Sequence, residues 1–241
     1  MIPARFGSTR FPGKLMQILG GKPVIVQTYE AAVNAGVFDD VIVVTDHPGI
    51  FNAIKNIGGH SIMSKHEHES GSDRMAEAAA DLDVDIIVNV QGDTPFINPE
   101  SLSKLLDQFN DPSVRVASIM QRLYDRDDIL DPNIVKVVVD DKNNSLLFSR
   151  SVIPYPRDRE AITPHYKHIG VYAFRKETLL LFSSWSITPL EAAEKIECLR
   201  FLEHGISLRM VEVEYNGVEI DTPEDLEKAE RFLSGSTKQK D

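Results

Sequence analysis

The sequence is poor in cysteine and has no long apolar run. Cys198 is the only cysteine among 241 residues, so no disulfide can form within the chain. This excludes a disulfide-stapled scaffold and predicts a reducing compartment, the cytoplasm. No apolar run approaches the roughly 20 residues that cross a bilayer, so no membrane insertion is expected. Arg5 and Arg10 interrupt the N-terminal segment, which therefore does not read as a secretory signal.

Positive charge is also scarce overall but concentrated at one end. The formal net charge is -11, which argues against a nucleic-acid-binding face. Hydrophobic residues make up 42% of the chain, which is enough for a core. Residues 1–22 nevertheless carry four cations and no carboxylate, which leaves a net charge of -15 on the remainder. Such a basic segment in an acidic chain indicates either a pocket for a small anion or an ordinary solvated loop.

Two familiar nucleotide-binding signatures are missing. No G-x-G-x-x-G occurs, which disfavours a dinucleotide-binding oxidoreductase. The basic segment, IPARFGSTRFPGK, is not a phosphate-loop ATPase motif, because Gly7 and Gly13 are one residue too far apart and Leu15 replaces the required Ser or Thr. Its two glycines allow close backbone approach, and its cations suit the phosphates of a nucleoside triphosphate.

The first half of the chain alternates strands with helices, which predicts a doubly wound α/β fold with a mostly parallel sheet. A short first strand is expected at Met1–Ala4, with a few apolar residues upstream in the natural chain if it is of ordinary length. The other predicted strands are Val41–Thr45 and Ile86–Val90, and the predicted helices are Pro23–Ala35, Pro48–Ile57, Ser72–Leu82 and Pro99–Phe109, the last capped by Asn98.

The second half changes to an antiparallel pattern. Strands are predicted at Val135–Asp140, Leu146–Ser149, His168–Phe174 and Leu208–Glu214, and helices at Pro189–Glu203 and Pro223–Leu233. We expect one domain over residues 1–241, with an antiparallel lobe at about 133–175 and a loose polar tail at 234–241.

Two aspartates lie where a metal could bind, although each also has a simpler explanation. Asp93 follows a buried strand, and ligands of open parallel sheets bind beyond the carboxyl ends of the strands; a turn aspartate before proline is the alternative. Asp221 precedes the last predicted helix, where either it or Thr222 serves as the cap. His66 and His68 match no established zinc spacing, and a polar loop leading to a helix capped near Ser72 or Asp73 is favoured. His168 and Tyr172 are predicted to share one face of a strand, either in the core or lining a sugar pocket.

Seven segments together resemble the cytidylyltransferases that activate 3-deoxy-manno-octulosonate (Kdo). In chain order they are IPARFGSTRFPGK, HESGSDR, VNVQGD, LLFSRSVIPY, KHIGVYAF, CLRFLEHG and EIDTPEDLE, which span nearly the whole chain. The resemblance implies an α/β fold with a smaller antiparallel lobe used in homodimerisation. It also implies transfer of CMP from CTP to Kdo, with release of diphosphate, for lipopolysaccharide synthesis.

The resemblance further implies residue roles. Asp93 and Asp221 would coordinate Mg²⁺, with Lys14 as the third catalytic residue. CTP would be bound by Arg5, Ser8, Arg10, Lys14, Arg74 and Gln91, and the sugar by Arg150, His168, Tyr172 and Glu197. Four positions depart from the family pattern, since Phe6 replaces Tyr, Leu15 replaces Pro, Thr94 replaces Glu, and Cys198 replaces Gln.

Three alternatives stay open at this point. Loss of the amide at Cys198 removes a donor and an acceptor near the expected sugar, so a Kdo modified at C8 is one possible substrate. A CMP-sialate synthetase would share the opening loop type but not all seven segments. A CTP-sensing module would bind the nucleotide without releasing diphosphate.

Overall fold

The computed structural model describes residues 1–7, 11–68, 70–158, 163–215 and 217–236. The strands of these residues are β1 (Ile2–Ala4), β2 (Ile18–Leu19), β3 (Lys22–Pro23), β4 (Ile42–Thr45), β5 (His60–Met63), β6 (Ile86–Asn89), β7 (Val116–Leu123), β8 (Lys136–Val139), β9 (Ser145–Ser149), β10 (His165–Arg175) and β11 (Arg209–Glu212). The α-helices are α1 (Val24–Asn34), α2 (Pro48–Asn56), α3 (Gly71–Ala79), α4 (Pro99–Asp107), α5 (Arg126–Leu130), α6 (Lys176–Ser183), α7 (Pro189–Glu194), α8 (Leu199–Glu203) and α9 (Pro223–Ser236). Within this described part of the chain, none of the helices has the length and apolar character needed to cross a bilayer.

These residues form two compact units. One unit contains Met1–Val84, Asn89–Leu102 and the described residues after Asn216, and the other contains Asp85–Val88 and Ser103–Tyr215. Whether the two units behave as one domain, with a lobe at about 133–175, stays a prediction.

The first unit is built on a parallel sheet in the order β1-β4-β5. Helix α1 precedes β4, as predicted, and α2 connects β4 to β5, a strand that was not predicted. Val43 and Val44 of β4 are completely buried, which explains why this central strand is a continuous apolar run. The carboxyl ends of β1 and β4 lie side by side, because Ala4 pairs with Thr45.

The second unit contains a mixed sheet in the order β11-β7-β10-β8-β9, and β6 also pairs with β10. Strand β11 runs parallel to β7, whereas β10 runs antiparallel to both β7 and β8. The β8–β9 hairpin is antiparallel, as its sequence predicts. Aromatic side chains fill the core of this unit, and Phe174, Phe182 and Phe201 stack on one another.

Most predicted elements are present, and two predictions are corrected. The predicted helix Pro189–Glu203 is two helices, because Lys195 adopts a left-handed conformation with φ of 56° and ends α7. Helix α3 is capped by Ser70 and not by Ser72 or Asp73, since Ser70 Oγ accepts a hydrogen bond from Asp73 N at 3.1 Å. His66 and His68 belong to no strand, as expected for the favoured polar loop.

Other predictions near the chain ends and helix starts are met or only partly described. Asn98 caps α4, because its Oδ1 accepts a hydrogen bond from Glu100 N at 2.9 Å. Strand β1 has only three residues. Helix α9 extends to Ser236, and residues 237–241 of the predicted tail lie outside the described residues.

Candidate active site

Three residues that are far apart in the sequence meet in the first unit. The Lys14 ammonium donates hydrogen bonds to a carboxylate oxygen of Asp93 and to Asp221 Oδ1, the latter at 2.9 Å. Asp93 is 79 positions from Lys14 and Asp221 is 207 positions away. All three side chains are partly exposed, at 15%, 22% and 36%, so they line the surface of the unit and not its core. The arrangement places two carboxylates on one cation.

Glycines place Lys14 in this cluster. Gly13 has φ of 66°, a conformation that glycine adopts without strain, and it begins a single 3₁₀ turn at Lys14–Met16. The next residue, Leu15, packs directly against Gly92, where a Cβ atom would lie 3.2 Å from a Leu15 methyl carbon. Since Gly92 precedes Asp93, this contact brings the Lys14 turn and the Asp93 turn together.

Asp93 is fixed by the turn that follows β6. Gly92 O accepts a hydrogen bond from Thr28 Oγ1 of α1 at 2.9 Å. Thr94 closes the turn, because its backbone N and its Oγ1 both donate to Gln91 O, at 3.2 and 2.6 Å. Asp93 is therefore a turn aspartate, as the simpler explanation predicts, but its carboxylate also contacts the Lys14 ammonium.

Asp221 is brought beside Asp93 by the backbone. Ile220 N donates to Asp93 O at 3.0 Å, which aligns the two carboxylate-bearing segments. The cap of α9 is Thr222, whose Oγ1 accepts from Asp225 N at 3.2 Å, while Asp225 Oδ2 accepts from Thr222 N at 3.1 Å. Because Thr222 and Asp225 satisfy the start of the helix, the cap does not require the Asp221 carboxylate, which accepts from Lys14.

The electrostatics of the cluster favour a cation between the carboxylates. Partial burial lowers the pKa of Lys14, but Asp93 and Asp221 more than offset this, so that its pKa is raised and the ammonium stays charged. No group of three or more His, Cys, Asp and Glu suited to a metal occurs among the described residues. Two converging carboxylates nevertheless fit a hard divalent cation that takes its other ligands from water and substrate phosphates.

The other residues expected to bind the nucleotide are placed differently. Arg5 is exposed and directly follows β1, and Gln91 belongs to the Asp93 turn. Ser8 and Arg10 lie outside the described residues. Arg74 is 3% exposed, and its Nη2 and Nη1 donate to Asp46 Oδ2 at 2.7 Å and to Ser64 Oγ at 2.6 Å.

Asp46 was missed by the sequence reasoning although the sequence offers a signal for it. It directly follows β4, as Asp93 follows β6 after a short turn. The rule that ligand sites lie beyond the carboxyl ends of parallel strands applies equally to both residues.

Of the residues expected on the sugar side, Tyr172 is buried in the second unit, and His168 beside it is half-buried. His168 Nε2 lies 2.9 Å from Ser118 Oγ, and its ring contacts those of Phe148 and Tyr172. Burial lowers the pKa of His168 to about 3, so the ring is neutral at physiological pH. The Tyr172 side chain is hydrogen-bonded to Cys198, whose pKa is raised well above its ordinary value by burial.

The remaining two residues expected on the sugar side are near the α7–α8 region. Arg150 Nε donates to Glu194 O at 2.7 Å, and its backbone N donates to Glu194 Oε2 at 2.9 Å. Ser149 Oγ donates to the other oxygen of the Glu194 carboxylate at 2.6 Å. Glu197 is partly buried in the linker between the two helices. Glu194, which holds Arg150 in place, was missed because no spacing in the sequence links residues 44 positions apart.

His68 has a structural partner that accounts for it without zinc. Its Nε2 lies 3.0 Å from Glu77 Oε2, and Glu77 Oε1 accepts a hydrogen bond from Lys65 N at 2.6 Å. These contacts attach the loop before α3 to the helix itself, as expected for a polar loop.

Comparison with known proteins gives a consistent result along the chain. A family model described as cytidylyltransferase matches residues 1–212. The chain is 56% identical to the 3-deoxy-manno-octulosonate cytidylyltransferase of Flavobacterium johnsoniae, covering 97% of each chain. It is 55% identical to the protein of the same name from Christiangramia forsetii, covering 97% of this chain and 96% of that one.

Solved structures agree with these sequence matches. A CMP:2-keto-3-deoxy-manno-octonic acid synthetase complexed with CTP superposes with a TM-score of 0.93 at 39% identity, covering 98% of this chain and 97% of that one. A 4-diphosphocytidyl-2C-methyl-D-erythritol synthase from Anaerococcus prevotii superposes with a TM-score of 0.63 at 16% identity, covering 97% of each chain, and shares the fold alone. The predicted α/β fold class is thereby confirmed.

Proposed function

The chain belongs to the cytidylyltransferase family, and from this premise we propose that it transfers CMP from CTP to 3-deoxy-manno-octulosonate, giving CMP-Kdo and diphosphate. The product serves lipopolysaccharide synthesis. The observation that carries the proposal is the convergence of Lys14, Asp93 and Asp221 on one surface of the first unit. Relatives at 55–56% identity that carry the Kdo cytidylyltransferase name support the choice of sugar.

The reaction is a displacement at the α-phosphorus of CTP. The anomeric hydroxyl oxygen of the sugar forms a bond to the α-phosphorus, the bond from that phosphorus to the bridging oxygen of the β-phosphate breaks, and the hydroxyl proton is lost. Both substrates are anions, so the protein must offset their repulsion and align the reacting atoms. Little covalent chemistry is required of the side chains themselves.

Mg²⁺ is the divalent ion that we propose for Asp93 and Asp221. When bound, it supplies positive charge at the phosphates and lowers the pKa of a nearby hydroxyl. The carboxylates would hold the ion, and Lys14, which bridges them here, would neutralise phosphate oxygens. Arg5, Ser8 and Arg10 complete the phosphate contacts from the basic segment, and Gln91 supports the nucleotide. Arg74, which the family resemblance also implied for CTP, is paired with Asp46 here.

Four residues supply the sugar contacts in this proposal, namely Arg150, His168, Tyr172 and Glu197. Because His168 is neutral, it serves the sugar as a hydrogen-bonding group and not as a cation. Positive charge for the sugar carboxylate then comes from Arg150, whose guanidinium is oriented by Glu194. Tyr172 and Glu197 offer hydroxyl and carboxylate partners for the sugar hydroxyls.

The test is diphosphate release from CTP across a panel of acidic sugars in the presence of Mg²⁺. We expect release with Kdo and none with N-acetylneuraminate. Preference for N-acetylneuraminate would make the protein a CMP-sialate synthetase. Preference for a Kdo modified at C8 would make that sugar the substrate, as the replacement of Gln by Cys198 allows. CTP binding without diphosphate release from any sugar would favour a CTP sensor.

Two further proposals concern the setting of the reaction. We place the protein in the cytoplasm, which agrees with the free, buried thiol of Cys198. We also propose a homodimer formed through the antiparallel lobe. Large apolar side chains exposed within this lobe support the assembly, namely Leu146, Leu147 and Tyr155.

A further inference from the structure

Hydrogen bonds tie the N-terminal segment to the end of β4 through a residue that has no role in the proposal above. Asp46 directly follows β4, and its Oδ2 accepts from Arg74 Nη2 at 2.7 Å. Its Oδ1 faces the backbone N of Phe6 at 3.4 Å, a long hydrogen bond. One carboxylate thus contacts both α3 and the segment that follows β1.

Ring packing reinforces this connection. The Phe6 ring stacks on His47 with a centroid distance of 3.9 Å and an interplanar angle of 11°. On the other side, a Cβ atom built on Gly13 would lie 3.5 Å from Phe6 Cζ. Gly13 immediately precedes Lys14, so the Phe6 ring lies between the end of β4 and the turn that carries the catalytic lysine.

The burial of Arg74 decides how this arginine can act. Its side chain is 4% exposed, whereas that of Asp46 is 33% exposed. Both terminal guanidinium nitrogens donate to protein atoms, on Asp46 and Ser64. If Arg74 moved to contact a nucleotide, its buried guanidinium would leave this partly buried ion pair, which is costly because a desolvated charge must stay paired. The arginine is therefore placed to hold Asp46.

We propose that Asp46 and Arg74 are positioning residues for the cytidylyl transfer, an inference that rests on the proposed function. Arg74 fixes the Asp46 carboxylate, and Asp46 with His47 fixes Phe6. Phe6 in turn supports the Gly13 turn, from which Lys14 reaches Asp93 and Asp221. Arg74 thus contributes to catalysis through Asp46 and makes no contact with CTP.

A double-mutant cycle separates this role from direct contact with CTP. We expect Arg74→Met and Asp46→Asn each to lower kcat/KM for CTP about tenfold or more, because small misplacements of a catalytic group are costly. The double variant should then be no worse than the more damaging single variant. If Arg74 contacts CTP independently, the two losses will multiply, and the proposal is overturned. Asp40→Asn is the matched control, since Asp40 pairs with exposed His60 and precedes β4.

A second measurement tests the connection without relying on activity. Arg74→Met should speed hydrogen exchange at the Phe6 amide, and Asp40→Asn should leave it unchanged. Phe6 is 40% exposed, so its substitution does not threaten the fold. Phe6→Tyr keeps the stacked ring and should retain kcat/KM, whereas Phe6→Ala should lose about as much as Asp46→Asn.

The outcomes distinguish failure of this proposal from failure of the proposed function. Absence of diphosphate release by the unmodified protein would refute the proposed function, and hydrogen exchange would still report whether Arg74 holds Phe6. Conversely, normal activity of Phe6→Ala, or unchanged exchange in Arg74→Met, would refute the positioning role while leaving the proposed cytidylyl transfer intact.

Discussion

The carboxylate of Asp93 is the residue on which the proposed chemistry depends most directly. Asp93→Asn preserves the shape of the side chain but removes its charge, and so weakens the hold on a divalent cation. We expect kcat to fall about 100-fold or more while CTP affinity changes only a few-fold, because the lost interaction acts chiefly in the transition state. Steady-state turnover and CTP binding with Mg²⁺ measure the two effects. Near-normal kcat would show that Asp93 has no such role.

The half-buried imidazole of His168 makes stability depend on pH. Its pKa is about 3 in the folded protein and about 6.5 when unfolded, so the unfolded state binds the extra proton as pH falls below 6.5. Stability is therefore lost progressively from about pH 6.5 downward, and at pH 5 this group accounts for a loss of about 2 kcal/mol. His168→Gln should reduce the loss of stability between pH 8 and pH 5 by about that amount.

Urea unfolding at pH 8 and pH 5 is the measurement for this histidine. Exposed His66 provides a control, since His66→Gln should show the same pH-dependent loss as the unmodified protein. An identical pH dependence for His168→Gln and the unmodified protein would mean that His168 is not held neutral by burial.

Individual residues of the site could be predicted from the sequence only where a local rule applied. The position of Asp93 after a buried strand predicted a ligand site there. The proposed role of Asp221 came from the family resemblance. The contact between Leu15 and Gly92 was not predictable, because it depends on how two turns pack in three dimensions. Arg74 was expected at the nucleotide, whereas its carboxylate partner, Asp46, emerged only from the folded structure.

Helices α7 and α8 show how a tertiary contact overrides helix propensity. The sequence from Pro189 to Glu203 contains no Gly or Pro after its start, so it was predicted to form one helix. Glu191 and Arg200 would lie on opposite faces of that helix. They are nine residues apart, and at 100° per residue this separation is about two and a half turns. In the structure they form a two-pronged buried ion pair at 2.6 and 2.7 Å, which the break at Lys195 makes possible.

Lys195 itself should be a weak point of this region. A lysine with φ of 56° is strained in a conformation that glycine adopts freely. We expect Lys195→Gly to raise the free energy of unfolding by about 0.5–1 kcal/mol, as measured by urea denaturation. Lys228→Gly, in the interior of α9, is the control and should lower it by about 1 kcal/mol. Destabilisation by both substitutions would show that the Lys195 conformation carries no strain.

The elements of the first unit were easier to predict than those of the second. Strand β4 is a buried apolar run bounded by polar residues, a pattern that indicates a strand directly. Strand β7 was missed although it pairs with both β10 and β11. Its sequence places Ser118 among apolar residues and has Gln121 and Arg122 just before its last residue, Leu123, so neither periodicity nor composition marks it clearly. Its identity as a central strand depends on long-range pairing.

At the scale of the whole molecule, the proposed homodimer would bury exposed apolar residues of the second unit. Strand β9 lies at the edge of the mixed sheet, and Leu146 on it is 61% exposed. Isolated exposed leucines are common, but an exposed apolar side chain on an edge strand favours association with another chain. Leu146 is therefore the residue with which to test assembly through the antiparallel lobe.

We expect Leu146→Glu to raise the dissociation constant of the dimer about tenfold or more, because it would place a charge in an interface that must exclude water. Sedimentation velocity over a range of protein concentrations measures this constant. Ile18→Glu is the matched control, since Ile18 is 56% exposed in the first unit and should leave assembly unchanged. A monomeric unmodified protein would contradict the proposed homodimer outright. Dissociation by Ile18→Glu but not by Leu146→Glu would move the interface from the antiparallel lobe to the first unit.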